Sequence, residues 1–123
     1  IQIAGQDVGY LEIYEAKRDR LSLYYPASEN DFGWHILLGE KNVVGKGHFK
    51  AVMRMMFYFI FEHSLAEKIV GEPDENVKSY DYVAEEIAFE AQQKIQMLEK
   101  TAILYHCFRE KFYQSCGAYS PLN

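Results

Sequence analysis

A glycine-rich turn that leads directly into an apolar segment is the feature that most constrains the fold of this chain. Residues 42–49 read NVVGKGHF. A P-loop would carry Ser or Thr after its Gly-Lys pair, and here Gly47 follows Lys46. A dinucleotide-binding loop would carry a third Gly at the position of Lys50. The turn therefore indicates another kind of anion site, in which free backbone N–H groups and a helix start face a phosphate.

The segments before this turn alternate apolar and polar residues with the period of a β-strand. We predict strands over residues 1–4 and 8–16 around a tight turn, and a third extended segment over residues 21–25. Residues 34–38 are apolar except for His35, which is typical of a buried, central strand.

Helical periodicity appears twice after the turn. The first predicted helix covers residues 47–63, and its predicted buried face is Val52, Met55, Met56, Phe59 and Ile60. A strand over residues 68–71 separates it from a second helix that Asn76 caps and that runs to about residue 89. The predicted buried face of this helix is Val77, Tyr80, Val83, Ala84 and Ile87. Strands over residues 92–98 and 101–107 and a short helix over residues 108–114 complete a mixed α/β (α+β) fold with helices on one sheet.

Size and charge limit the class of protein. A chain of 123 residues with 49% hydrophobic content predicts one domain, residues 1–123. The net charge of -5 argues against a nucleic-acid partner, which would select a basic surface. The apolar run over residues 52–61 is shorter than the ~20 residues of a membrane span, so we expect no membrane partner. The sequence does not predict an oligomeric state.

The cysteines and histidines do not form a metal-binding pattern. Cys107 and Cys116 lie nine residues apart without a CxxC pair, which suits a reducing, cytoplasmic location and leaves a single disulfide as an alternative. The four histidines share no i, i+4 spacing, so no metal is expected. Because the chain begins at Ile1 within a strand-like alternation, we expect a truncated or processed piece of a longer bacterial protein.

The turn and four further motifs resemble one enzyme family. The NVVGKG turn is similar to the pyrophosphate-binding loop of the GNAT N-acetyltransferases, in which Gln or Arg precedes two residues, Gly, any residue, and Gly or Ala; Asn42 departs from this pattern. The segments HILLG, GEPD, KTA and REKF follow in an order that resembles the siderophore-biosynthesis acyltransferases, which acylate a hydroxylated side-chain amine of lysine or a related diamine. The resemblance covers residues 8–112.

This resemblance implies a fold and a reaction. The fold would be a mostly antiparallel GNAT sheet that lacks its first strand and opening helices. The cosubstrate would be acetyl-CoA or a longer acyl-CoA, and the second substrate a small amine or hydroxylamine such as N6-hydroxylysine. The nitrogen would attack the thioester directly, without a covalent enzyme intermediate.

The resemblance also implies the site residues. The cofactor-binding residues would be Leu37, Val43, Val44, Gly45, Lys46, Gly47 and His48. His35 and Asp74 would be catalytic and substrate-binding: His35 would bind the substrate or accept a proton, and Asp74 would pair with the amine and work with His35, with Trp34 beside them. The competing interpretations are a structural His35 at the rim of the core and an Asp74 that caps a helix. Glu72 is interpreted as structural.

Three departures from the family pattern keep other functions open. Asn76 is one position closer to Asp74 than is usual, and Ala88 stands where Gly is usual. The Tyr that protonates the departing thiolate in many members is missing from its usual place, and Tyr80 is a loose substitute. The alternatives are an aminoglycoside or polyamine N-acetyltransferase of the same fold and a catalytically silent acyl-CoA-binding module.

Overall fold

The computed structural model describes residues 1–3, 5–7, 9–39, 48–84 and 86–117. Its strands are β1 (Gln2–Ile3), β2 (Gln6–Asp7), β3 (Gly9–Glu15), β4 (Phe32–Leu38), β5 (Lys68–Gly71), β6 (Phe89–Gln96) and β7 (Thr101–Phe108). Its α-helices are α1 (His48–Glu62), α2 (Ser79–Val83) and α3 (Arg109–Gly117), and two 3-10 turns cover Ala16–Arg18 and Arg20–Leu23. Within the described ranges, no helix is both long and apolar enough to cross a membrane.

The main sheet has five strands in the order β3-β4-β5-β7-β6. Neighbouring strands are antiparallel except β4 and β5, which are parallel. This confirms the predicted mixed, mostly antiparallel sheet with helices. The strands predicted over residues 34–38, 68–71 and 101–107 all lie in it. That the chain forms one domain stays a prediction.

The parallel strands β4 and β5 are paired over a very short length. Their ladder contains only the pairs Phe32–Ile69 and Gly33–Val70. β4 continues to Leu38, whereas β5 ends at Gly71. On its β5 side, β4 therefore has five residues, 34–38, that form no ladder with another described strand.

Helix α1 covers one face of the sheet, and its predicted buried face is correct at Met56 and Ile60 only. Its buried residues are Met53, Met56, Phe57, Ile60 and Phe61. The predicted face was wrong at Met55 and Phe59, which are 73% and 56% exposed. Two apolar stripes exist on this helix, and packing against Trp34 and Phe112 selects the one that includes Phe57 and Phe61.

The opposite face of the sheet is covered by the 3-10 turns. The extended segment predicted over residues 21–25 is wrong, because Arg20–Leu23 forms a 3-10 turn. The Asp19 carboxylate accepts a hydrogen bond from the Leu21 N–H at 3.1 Å and starts this turn. Leu21 and Tyr25 are buried there against the sheet.

Helix α2 is shorter than predicted and Asn76 does not cap it. Its N-terminal flanking residue is Lys78, which makes no side-chain cap bond. Ala88 has a φ of 62°, a left-handed conformation that ends the helical path before β6 starts at Phe89. Tyr80 is buried as predicted, whereas Val77 is 44% exposed.

The ends of the chain match the predictions more closely. The final helix was predicted over residues 108–114 and lies at Arg109–Gly117. The first two predicted strands correspond to β1 and β3, whereas β2 lies within the segment predicted as a tight turn; residues 4 and 8 are outside the described residues. Cys107 and Cys116 are both free thiols, so the disulfide alternative is not formed.

Candidate active site

A pocket of about 210 Å³ lies where β4 and β5 stop pairing. Its walls come from β4, from the segment that follows β5, from the start of α2 and from the turn before β7. The lining residues are Trp34, His35, Ile36, Glu72, Pro73, Asp74, Val77, Tyr80 and Lys100. Residues Trp34, His35 and Asp74, which the sequence predicted to contact substrate, thus line the same pocket.

His35 lies between two carboxylates. Its Nε2 is 2.8 Å from Oε1 of Glu72, and its Nδ1 is 3.1 Å from Oε1 of Glu12. The hydrogen bond to Glu72 is the main reason why the pKa of His35 is raised above its ordinary value of 6.5. Burial opposes this rise, and Glu12 adds to it. The His35 side chain remains 45% exposed, so solvent or a ligand can reach it.

Glu72 is a buried carboxylate with donors on both oxygens. It is 3% exposed, and Oε2 accepts a hydrogen bond from the Tyr14 hydroxyl at 3.0 Å. Burial disfavours the charge, but the hydrogen bond from His35 and the positive charges of His35 and Lys100 outweigh it. The pKa of Glu72 therefore lies below its usual value, and the pocket holds an ionised buried carboxylate.

Asp74 lines the same pocket as His35. Its Oδ1 accepts a hydrogen bond from the Asn76 N–H at 2.9 Å, and its backbone forms a bridge to Ala102 of β7. The competing interpretation, in which Asp74 caps a helix, is wrong, because α2 begins five residues later at Ser79. Among the described hydrogen bonds, Glu72 and Glu12 are the partners of His35, and the predicted role of Asp74 with the amine stays a prediction.

Trp34 and Tyr80 form the apolar wall of the pocket. Trp34 is 3% exposed, and its ring lies against Phe57 and Tyr80. Burial raises the pKa of the Tyr80 hydroxyl, so this group stays protonated and can donate a proton or hydrogen bond. The tyrosine that sequence reasoning took as a loose substitute therefore lies in the pocket.

The predicted cofactor-binding residues are only partly described. Val43, Val44, Gly45, Lys46 and Gly47 lie outside the described residues. Leu37 lies on β4 beyond the β5 ladder and its side chain is 69% exposed. His48 is the first residue of α1 and is partly buried. In the described part of the chain, α1 thus begins at the end of the glycine-rich segment, where the pattern predicts a helix.

Sequence reasoning missed three side chains of the charged network. Glu72 was interpreted as structural, and Glu12 and Tyr14 received no role. The register of β3 and β4 pairs Glu12 with His35 and Tyr14 with Gly33. The side chains of Glu12, Tyr14 and His35 therefore lie on one face of the sheet. The alternation of β3 could have placed Glu12 and Tyr14 together, but the pairing register with β4 is visible only in the fold.

Comparison with known proteins defines the class to which this fold and pocket belong. A family model described as "Acetyltransferase (GNAT) domain" matches residues 1–97. The chain belongs to the GNAT acetyltransferase family. The resemblance seen in the sequence is thereby confirmed.

Two of the relatives are named as enzymes that act on hydroxylated amines. The chain is 64% identical over 119 residues to the N-hydroxyputrescine acetyltransferase of Acinetobacter baumannii. The aligned region covers 97% of this chain and 57% of the relative. It is 32% identical over 111 residues to the N(5)-hydroxyornithine:cis-anhydromevalonyl coenzyme A-N(5)-transacylase of Beauveria bassiana, over 87% of this chain and 24% of that protein. The chain therefore spans little more than half of the first relative and about a quarter of the second.

Solved structures share the fold. An uncharacterized protein from Bacillus halodurans superposes with a TM-score of 0.86 at 26% identity, over 91% of this chain and 58% of the other. The aminoglycoside acetyltransferase AAC(6')-Ib in complex with coenzyme A gives a TM-score of 0.81 at 20% identity, over 92% of this chain and 66% of the other. At that identity the second similarity shows the fold alone.

Proposed function

We propose that the full-length protein transfers an acyl group from acyl-CoA to the hydroxylated nitrogen of a small diamine or amino acid, as in siderophore biosynthesis. The observation that carries the proposal is the pocket at the parting of β4 and β5, which joins an imidazole, two carboxylates and a protonated phenol. The 64% identity to an N-hydroxyputrescine acetyltransferase supports N-hydroxyputrescine as the first acceptor to test. N6-hydroxylysine, the acceptor expected from the sequence, is the second.

The acyl-CoA would lie along the edge of β4 that β5 leaves unpaired. Residues 34–38 form no ladder on the β5 side, so backbone N–H groups on that edge can bind the thioester carbonyl and stabilise the negative charge that develops on it. The pyrophosphate would lie at residues 43–47, ahead of α1, where glycine N–H groups and the helix start favour an anion.

The acceptor would enter beside the carboxylates. A diamine carries a positive charge at its unmodified end, and Asp74 supplies a carboxylate for it in the pocket, whereas the carboxylate of Glu72 is bonded to His35. A hydroxylamine nitrogen is less basic than an alkyl amine, so it arrives with its lone pair free. It therefore needs a group that removes one proton during the reaction, and His35 is suited to that task once it is neutral.

Each bond change has a group assigned to it. The acceptor nitrogen bonds to the thioester carbon, and the tetrahedral intermediate loses the nitrogen proton to His35. The carbon–sulfur bond then breaks, and the coenzyme A thiolate takes a proton from the Tyr80 hydroxyl or from water. The products are a hydroxamate and free coenzyme A, with no covalent enzyme intermediate. Cys107 is buried and its thiol pKa is raised, which suits a structural and not a nucleophilic role.

The test is release of coenzyme A thiol by the full-length protein from acetyl-CoA and longer acyl-CoAs. The acceptors are N-hydroxyputrescine, N6-hydroxylysine, putrescine and kanamycin. We expect preferential turnover of a hydroxylated amine, and a loss of at least about 100-fold in kcat in His35→Gln, the low end of the range for general-base catalysis. The matched control is His63→Gln, since His63 is an exposed histidine at the end of α1 that does not line the pocket. Equal or better turnover of putrescine or kanamycin would contradict the proposal.

A further inference from the structure

We propose that Glu72, and not Asp74, is the positioning residue that fixes the ring orientation and the charge of His35. The inference rests on the proposed function, in which His35 removes the proton of the acceptor nitrogen. It assigns to Glu72 a role in catalysis that acts through His35 and not on the substrate.

The two oxygens of Glu72 are held in place by different strands. Oε1 binds Nε2 of His35 on β4 at 2.8 Å, and Oε2 binds the hydroxyl of Tyr14 on β3 at 3.0 Å. With both oxygens bonded and the side chain 3% exposed, the carboxylate cannot rotate without breaking a hydrogen bond. Asp74 differs, because its carboxylate accepts from the Asn76 backbone two residues along the chain.

A glycine makes the contact with Tyr14 possible. Tyr14 is paired with Gly33 on β4, and its ring crosses Gly33 to reach Glu72. A Cβ built on Gly33 would lie 2.6 Å from Cε2 of Tyr14, which is closer than real Cβ atoms come. Any side chain at this position would push Tyr14 away from Glu72. The local sequence therefore keeps the space that the network needs.

The groups around His35 differ in their expected effect on its charge. Glu12 lies at Nδ1 but is 48% exposed, and it also accepts from the Tyr10 hydroxyl at 3.3 Å, so solvent screens it. Lys100 lies with its Nζ 4.0 Å from Oε1 of Glu72 and opposes a positive His35. The aromatic ring of Tyr14 lies 4.8 Å from the imidazole, and Asp74 lines the same pocket. Among these groups, Glu72 is the one charged side chain that is both buried and hydrogen-bonded directly to His35.

This arrangement predicts two separable consequences of changing Glu72. Gln keeps an oxygen that can accept from Nε2–H but removes the charge, so it should preserve the ring position and lower the pKa of His35. Glu72→Asp keeps the charge but shortens the side chain by one methylene, which moves the carboxylate oxygens away from His35. This change should therefore loosen the position of the His35 ring. Because His35 accepts a proton only when neutral, the acid limb of kcat/KM should follow its pKa.

The test is an NMR titration of the imidazole signals in the full-length protein, with the His35 signal assigned from its loss in His35→Gln. We expect Glu72→Gln to lower the pKa of His35 by about one unit or more, as loss of an opposite charge in contact does. Glu12→Gln is the matched control, since it makes the same change on the other ring nitrogen, and we expect a shift of less than half of that. The acid limb of kcat/KM should move to lower pH in Glu72→Gln by the same amount.

The outcomes separate this proposal from the function on which it rests. An unchanged His35 pKa in Glu72→Gln, or an equal or larger shift in Glu12→Gln or Asp74→Asn, would overturn the role of Glu72. Should Glu72→Gln not fold, Glu72→Asp decides, because an unchanged kcat in that variant also overturns the role. If no amine is turned over, the proposed function fails, and the titration still decides whether Glu72 controls His35.

Discussion

Replacement of Gly71 by Ala tests how the wall of the pocket is built. A Cβ at Gly71 would lie 2.6 Å from both Cζ2 and Cζ3 of Trp34, so the alanine methyl group and the indole cannot share this space. Gly71 is the last residue of β5 and its φ lies outside the left-handed region, in contrast to Gly5 with a φ of 80°. The glycine is therefore required for space and not for its backbone conformation.

The magnitude follows from two opposing effects. Overpacking a core position of this kind destabilises a protein by about 1–3 kcal/mol. Ala in place of Gly at a compatible backbone position stabilises by about 0.4–1 kcal/mol through the unfolded state. We expect Gly71→Ala to lower the free energy of unfolding by about 1–2 kcal/mol, and to reduce kcat/KM because Trp34 lines the pocket.

A double-mutant cycle with Trp34→Phe isolates the clash. Phenylalanine lacks the outer ring atoms that Gly71→Ala would meet, so Gly71→Ala should be neutral or slightly stabilising in the Trp34→Phe background. The expected interaction energy is about 1–3 kcal/mol, measured by urea unfolding followed by circular dichroism, since Trp34→Phe removes the single tryptophan. Additive effects of the two substitutions would refute the reasoning that Trp34 occupies the space over Gly71.

Three further predictions concern stability. The contact between His35 and Glu72 raises the pKa of His35 above 6.5 and lowers the pKa of Glu72. The stability that this contact contributes should therefore be lost as pH rises through the His35 pKa and as pH falls through the Glu72 pKa. Thermal unfolding of wild type and His35→Gln at a series of pH values measures this. Met56→Ala should cost about 2–5 kcal/mol in urea unfolding, and Met55→Ala less than about 0.5 kcal/mol, because only Met56 is buried. Ala88→Gly should raise the free energy of unfolding by about 0.5–1 kcal/mol, since Ala88 has a φ of 62°; no change would contradict a strained backbone there.

Regular periodicity predicted the strands of the sheet well. The apolar run at residues 34–38 and the short segment 68–71 correspond to β4 and β5. The expected burial of residues 34–38 holds for Trp34 but is wrong for His35 and Leu37, which are exposed. The parallel pairing of these two strands over only two residues could not be read from either segment. Strand pairing depends on which segments meet in the fold, and a single sequence does not specify that.

The buried faces of the helices were harder to predict, since the helices carry more apolar residues than one face can bury. Helix α1 carries apolar residues on most of its surface, so the choice between Met55 and Phe57 depends on the partner surface. The second helix was predicted to run to about residue 89, but α2 ends at Val83 and Ala88 adopts a left-handed conformation. The family pattern, which has Gly at this position, was the signal for that break.

The predicted site residues Trp34, His35 and Asp74 were brought to one pocket, and their roles stay predictions. The sequence could not indicate the partner of His35. Asp74 and Glu72 lie two residues apart, and both are acidic. Only the fold separates them, because the Glu72 side chain is buried under Tyr14 and His35, whereas Asp74 turns toward its own backbone.

The burial of Glu72 itself supports a functional interpretation of this network. A buried charge carries a desolvation penalty of several kcal/mol, and a well-packed apolar side chain in its place is often neutral or stabilising. Glu72 retains its charge through donors from β3 and β4 and through Lys100, which no single strand could provide. A chain selected only for stability has little reason to maintain so many polar groups at the one point where the sheet opens. A chain that must hold His35 in one orientation beside a thioester does, because a proton acceptor works only within hydrogen-bond reach of the proton that it removes.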